Sequence, residues 1–183
     1  MKDHFGRNIN YLRLSITDRC NLRCKYCMPH GVEFTPHEQI LTYEEFLRVA
    51  RAAVHLGIPR FKITGGEPLV RKADLLRLCE MHPDCEFLSF TNGTLIDRDF
   101  CQELLRVKNF IPAISLEGFE EANDARRGEG SYQKVGKAME LLREHGLPFG
   151  ISTCYTSKNY QDITSEEFYD MIIELGAYFV WFF

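Results

Sequence analysis

No stretch of the 183-residue chain is apolar for long enough to cross a bilayer, and the leading segment Met1-Lys2-Asp3-His4-Phe5-Gly6-Arg7 lacks the apolar centre of a secretory signal. Positive charge is not in excess: 22 Lys and Arg stand against 26 Asp and Glu, a net charge of -4 that argues against general nucleic-acid binding. No second C-x2-C pair accompanies the one formed by Cys24 and Cys27, and Cys79, Cys85, Cys101 and Cys154 share no ligand spacing with one another. This pattern does not read as a disulfide framework, and the four scattered thiols read as small, buried or half-buried side chains of a protein in a reducing cytoplasm.

What is present is one sizeable core's worth of apolar residues, 45% of the chain, and one dense motif. Cys20, Cys24 and Cys27 follow a C-x3-C-x2-C spacing in a loop after a predicted strand, which can turn three sulfurs toward one point. The number three carries information. A closed zinc site takes four protein ligands, whereas a [4Fe-4S] cube held by three thiolates keeps one iron open for a substrate or cofactor. The alternative is a zinc knuckle completed by a distant Cys79, Cys85 or His30.

The rest of the chain alternates strand and helix. Tyr11 to Ile16 reads as a first strand. Thr42-Tyr43-Glu44-Glu45 has the form of a capping box opening a helix through Phe46, Val49, Ala50, Ala53 and Val54 to Gly57. A strand at Phe61–Thr64 runs into Gly65-Gly66-Glu67-Pro68, where two glycines permit close approach to a ligand and a carboxylate can accept from an ammonium group. A helix follows over Ala73–Cys79, then a strand over Glu86–Phe90 and a helix from Ile96 and Asp97. The next strand is Phe110–Leu116, whose Pro112 suggests a bulge or a missing ladder bond. The polar segment Asn123–Gly130 leads to a helix over Tyr132–His145, a strand over Leu147–Tyr155, a helix over Ser165–Leu175 and a sixth strand over Tyr178–Phe183. Short connections between alternating elements predict an α/β fold, a parallel sheet closed into a partial (β/α)6 TIM-like barrel, with the working loops at the carboxyl ends of the strands.

Taken with its aromatic residue Tyr26, the cysteine motif resembles that of the radical S-adenosylmethionine (SAM) superfamily. Phe5-Gly6-Arg7, Tyr11 to Ser15, Thr17 to Cys20 and Cys27-Met28-Pro29 resemble, more narrowly, the GTP 3',8-cyclase family of molybdenum cofactor synthesis. The resemblance implies a [4Fe-4S] cluster on Cys20, Cys24 and Cys27, and SAM on the open iron. It implies that Gly65, Gly66 and Glu67 meet the SAM ammonium, and Ser115 with Arg126 or Arg127 its carboxylate or ribose. Thr91 would meet a ribose hydroxyl, and Tyr26 and the Met28 backbone the adenine. Arg7, on an arm of residues 1 to 10, and Arg71 become substrate-binding candidates, with GTP as the candidate substrate.

A reductant such as flavodoxin or ferredoxin would supply the electron that cleaves SAM to a 5'-deoxyadenosyl radical. The second half, with Ser115-Leu116-Glu117-Gly118 and Arg126-Arg127-Gly128, departs from the cyclase pattern, which leaves a peptide, lipid or other metabolite as an alternative substrate. Residues 11 to 183 are then expected to form a radical SAM core cut off at strand six. A second polypeptide or a further C-terminal region would cover it, and an inactive metal-binding fragment is the reading from another class.

Overall fold

The computed structural model describes residues 2–28 and 32–183. Among them the elements run β1 (Tyr11–Ser15), α1 (Tyr43–His55), β2 (Arg60–Thr64), α2 (Lys72–Met81), β3 (Glu86–Thr91), α3 (Arg98–Val107) and β4 (Phe110–Ser115). There follow α4 (Glu120–Arg127), α5 (Ser131–Glu144), β5 (Gly150–Thr153), α6 (Tyr160–Ile163), α7 (Glu166–Glu174) and β6 (Val180–Phe182). The six strands pair in sequential order and every pairing is parallel. Sequential order matters, because right-handed crossovers that never reverse direction place all the helices on one face and leave the other concave. The result is the predicted partial barrel, with no helix long and apolar enough to cross a membrane among the described residues.

The convex face is the core. Phe61, Ile63 and Phe87 turn outward from β2 and β3 and meet Phe46, Leu75, Leu78, Phe100 and Leu104 of the covering helices. Phe61 and Phe87 are register partners, and their rings stack with centroids 5.1 Å apart. The capping box predicted for α1 forms in full: the Thr42 hydroxyl accepts from the Glu45 backbone N–H, and the Glu45 carboxylate accepts from that of Thr42. Replacing Thr42 by Ala removes one of these bonds, and the expected loss is about 1 kcal/mol, read as a lower denaturant midpoint at unchanged slope.

Two expectations are corrected here, and the two readings of Pro112 are distinguished. The first five residues of the polar segment Asn123–Gly130, expected as a lead-in to the next helix, belong to a helix of their own, α4. A single turn, α6, lies where no helix was predicted. Pro112 makes no bulge, since β3 and β4 stay in unbroken register from Phe87↔Phe110 to Thr91↔Ile114. The Leu116 N–H donates to Ser152 of β5, while the Asn109 carbonyl accepts from Phe87 of β3. By alternation the nitrogen of Pro112 faces β5, whose ladder begins one residue later at Ala113↔Gly150. The missing donor therefore falls where no acceptor strand yet exists.

The concave face has a different chemistry. Arg13 and Lys62 are cross-strand partners pointing inward, followed across the sheet by Leu88 and Ile111. The Lys62 ammonium lies 4.9 Å from the Tyr11 ring centroid and 4.8 Å from that of Trp181, so it spans the bowl from β2 to the first and last strands. Phe90 packs on Trp181 at 5.5 Å, and these groups with Arg13, Phe182 and Phe183 enclose a cavity of about 360 Å³.

Candidate functional site

At the carboxyl end of the sheet the loop after β1, which carries the cysteines, is docked on the loop after β2 by backbone bonds. The Gly66 N–H donates to the Thr17 carbonyl and that of Glu67 to the Arg19 carbonyl, both at 2.7 Å. Such an approach leaves no room for side chains. A Cβ on Gly65, whose φ is +143°, would stand 2.2 Å from the Thr17 oxygen, and one on Gly66 2.3 Å from the Arg19 oxygen. The two glycines were expected to admit a ligand; what they admit in this structure is the cysteine loop itself.

Glu67, next along, is 1% exposed. Its carboxylate accepts from the backbone N–H of Leu69 at 2.9 Å, the Thr91 hydroxyl at 2.7 Å and the Asn92 N–H at 2.7 Å. Burial raises its pKa above the ordinary carboxylate value, and these donors work against that rise. Thr91, assigned by resemblance to a ribose hydroxyl, has its hydroxyl committed to Glu67 and to the Gly93 N–H. Its immediate action is to hold the carboxylate.

The second half of the cysteine loop is held by α4. The Lys25 N–H donates to the Arg126 carbonyl at 3.1 Å, the Cys24 sulfur lies 3.9 Å from the Arg127 carbonyl, and the Arg126 guanidinium sits 4.2 Å above the Tyr26 ring. Glu117, fully buried at the end of β4, gathers this corner. Its Oε1 accepts from Arg127 Nε at 3.1 Å and Nη2 at 2.5 Å, and its Oε2 from the Cys154 N–H at 3.1 Å, with Arg126 Nε at 3.6 Å. The two arginines are thereby distinguished. Arg127 is committed to Glu117. Arg126 Nε has no hydrogen-bond partner in the protein, and with Lys25 and Tyr26 the residue lines a cavity of about 710 Å³ bounded by α4 and Thr156 to Asp162.

Among the described residues no three His, Cys, Asp or Glu side chains are gathered closely enough to hold a metal ion. The donor set, three thiols on one short loop, is the kind a soft metal centre takes, and binding one would displace their protons. Burial raises the pKa of both Cys20 and Cys24, each is opposed further by the charge of neighbouring thiols of the motif, and Arg127 lowers Cys24 in turn. They share one neighbourhood on one short loop. The alternative fourth ligands do not come near it: Cys79 packs in the core on α2, where burial pushes its pKa to about 12, and Cys85 is buried at the amino end of β3. His30 and Pro29 lie outside the described residues.

Arg71, a substrate-binding candidate, is held by acceptors of the scaffold in this structure. Its Nη1 donates to the carbonyls of Ile16 at 2.9 Å and Leu41 at 2.8 Å, its Nε to Asp74 at 2.8 Å, and it covers the Phe46 ring. Arg7 pairs with Asp3 at 2.6 Å on an arm that folds on itself before the amino end of β1. Ser115 closes β4, half-buried and beside Ser152 on the concave side of the mouth. The Met28 N–H is tied into a turn with the Cys24 carbonyl at 3.0 Å. Sequence reasoning missed Glu117, Arg13 and Lys62. A signal for the last two existed, since both are cations at the inward phase of strands whose other phase is apolar.

This architecture is a carboxyl-end cysteine loop on a partial barrel. The family description "Radical SAM superfamily" matches residues 14–172, and the chain belongs to that superfamily. Curated relatives among those it matches carry the name GTP 3',8-cyclase. The relative from Desulforamulus reducens is 40% identical over 149 residues, covering 77% of this chain and 46% of its own. That from Petrotoga mobilis is 38% identical over 182 residues, covering 95% and 55%. Among solved structures, Streptococcus suis SuiB bound to S-adenosylmethionine superposes with a TM-score of 0.77 at 26% identity, over 95% of this chain and 41% of that one. The hydrogenase maturase HydG shares the fold, with a TM-score of 0.72 at 17% identity over 97% of this chain and 44% of its own. The chain thus spans about half the length of these relatives.

Proposed function

We propose that the chain is the SAM-cleaving core of a radical SAM enzyme of GTP 3',8-cyclase type, with residues 11–183 as that core and residues 1–10 as an arm. The observation that carries the reading is the docking of a three-cysteine loop onto Gly66 and Glu67 at the open end of a parallel barrel whose inner wall is cationic and aromatic. Cys20, Cys24 and Cys27 would hold a [4Fe-4S] cluster. Such a group would supply the one-electron reduction of SAM, whose cleavage gives methionine and a 5'-deoxyadenosyl radical for hydrogen abstraction.

The protein's own residues orient and enclose. Glu67, pre-oriented by Thr91 and Asn92, offers its carboxylate to the SAM ammonium. Arg126, whose guanidinium lies over Tyr26 at the wall of the larger cavity, would face the SAM carboxylate, and Ser115 the ribose. Tyr26 and the Met28 backbone border the adenine. Inside the bowl, Arg13 and Lys62 set two cations among Tyr11, Phe90 and Trp181, which suits an anionic substrate with a planar base, GTP by the resemblance of the relatives. The expected reductant is a flavodoxin or ferredoxin.

Anaerobic reconstitution tests this. Wild type should take up iron and sulfide and release 5'-deoxyadenosine from SAM under reduction, while Cys24→Ala should lose more than nine-tenths of both. Equal iron in the two proteins sinks the ligand assignment. GTP binding, measured by equilibrium dialysis, should weaken tenfold or more in Lys62→Ala; unchanged binding removes GTP from the bowl.

A further inference from the structure

Asn92 is 6% exposed, and its backbone N–H and both ends of its side-chain amide have partners. Its backbone N–H donates to Glu67 at 2.7 Å. Its side-chain oxygen accepts from the Thr94 N–H at 3.0 Å and the Thr94 hydroxyl at 2.7 Å. A backbone N–H can only donate, so the bond from Thr94 fixes which end of the amide is oxygen, and the NH2 end must point the other way. There it reaches Asn21 Oδ1 at 2.9 Å and the Cys20 sulfur at 3.8 Å. The Asn21 amide continues to the Thr94 hydroxyl at 2.9 Å, closing a ring of polar contacts that leaves Asn92 no alternative orientation.

The three thiols are not treated alike. Cys20 has the Leu22 N–H at 3.4 Å and the Asn92 amide within reach, whereas the contact at Cys24 is to a carbonyl oxygen. A donor aimed at a ligand sulfur draws charge from it and favours the form of the centre that carries one more electron. The same residue holds Glu67 through its backbone, so it touches both the electron-accepting side and the carboxylate that faces the cofactor.

Resting on the cluster reading above, we infer that Asn92 is a positioning residue whose side-chain amide hydrogen-bonds the Cys20 thiolate and raises the reduction potential of the cluster. Wild type, Asn92→Ser and Asn92→Asp are reconstituted anaerobically and titrated with a graded reductant, with the reduced cluster counted by its paramagnetic signal. Both variants should become harder to reduce by threefold or more, about 28 mV for a one-electron couple, and Asn92→Asp further than Asn92→Ser because it sets a like charge beside the sulfur. Identical midpoints in all three overturn the inference while leaving the cluster intact. Wild type that takes up no cluster overturns the reading beneath it.

A measurement on wild type alone guards against variants that fail to fold. Protein labelled with ¹⁵N only in asparagine side-chain amides should show a nitrogen hyperfine coupling to the reduced cluster. A reduced cluster without that coupling refutes the bond.

Discussion

Glu117→Gln will lower the stability of the protein by about 3 kcal/mol or more, because removing one partner of a buried ion pair leaves the other uncompensated. Glu117 has no exposed surface, Arg127 is 9% exposed, and Arg126 leans on the same carboxylate. A neutral amide can accept one of the arginine bonds but cannot balance two guanidinium charges. The damage should be felt in the cysteine loop, since Lys25 and Cys24 rest on the carbonyls of those arginines. Denaturant unfolding measures the loss, and amide hydrogen exchange over residues 24–28 should rise beyond that over α3. A loss below about 1 kcal/mol would show that the corner does not depend on its carboxylate.

Gly66→Ala will be equally severe for a different reason. The added methyl would meet the Asp18 and Arg19 carbonyls at 2.5 and 2.3 Å, and backbone oxygens cannot turn aside as a side chain can. The two 2.7 Å bonds that dock the loops must open. The expected cost is about 3 kcal/mol, at the upper end for overpacking, with iron uptake on reconstitution falling below a tenth of wild type. Gly136→Ala is the control: it lies inside α5 with nothing within 4 Å of the new methyl, and it should stabilise by about 0.5 to 1 kcal/mol. A Gly66→Ala protein that melts with wild type and binds iron normally would mean the loops are not held as described.

The alternation of strands and helices was legible because each strand carries one apolar phase and each large helix one apolar stripe. α4 was not, and its composition says why. The residues it buries are Asn123 and Arg127, four apart on one face, so its inward stripe is polar and invisible to a search for apolar periodicity. What did signal it is charge order, with Glu120 and Glu121 in the first turn and Arg126 and Arg127 in the last, before Gly128.

The candidate site was readable as a set of loops but not as a set of contacts. Gly65-Gly66 announces that something comes close without saying what, and the answer was the chain's own backbone. Arg71 sits where a substrate cation was expected, yet three scaffold acceptors take up its guanidinium. Sequence spacing locates charge along the chain; which neighbour neutralises it is a property of the folded packing.

The join between the loops after β1 and β2 is made mainly by main-chain atoms, the carbonyls of Thr17 and Arg19 against the nitrogens of Gly66 and Glu67, with the Arg71 guanidinium on the Ile16 carbonyl beside them. The two docking bonds make no use of the side chains at positions 18 and 19, which are turned instead to the Thr35 backbone, Asp18 accepting from its N–H at 2.6 Å and Arg19 donating to its carbonyl at 2.7 Å. The pair of loops should also travel as one rigid plate whenever the mouth of the barrel breathes, keeping the thiols and the Glu67 carboxylate in constant relation.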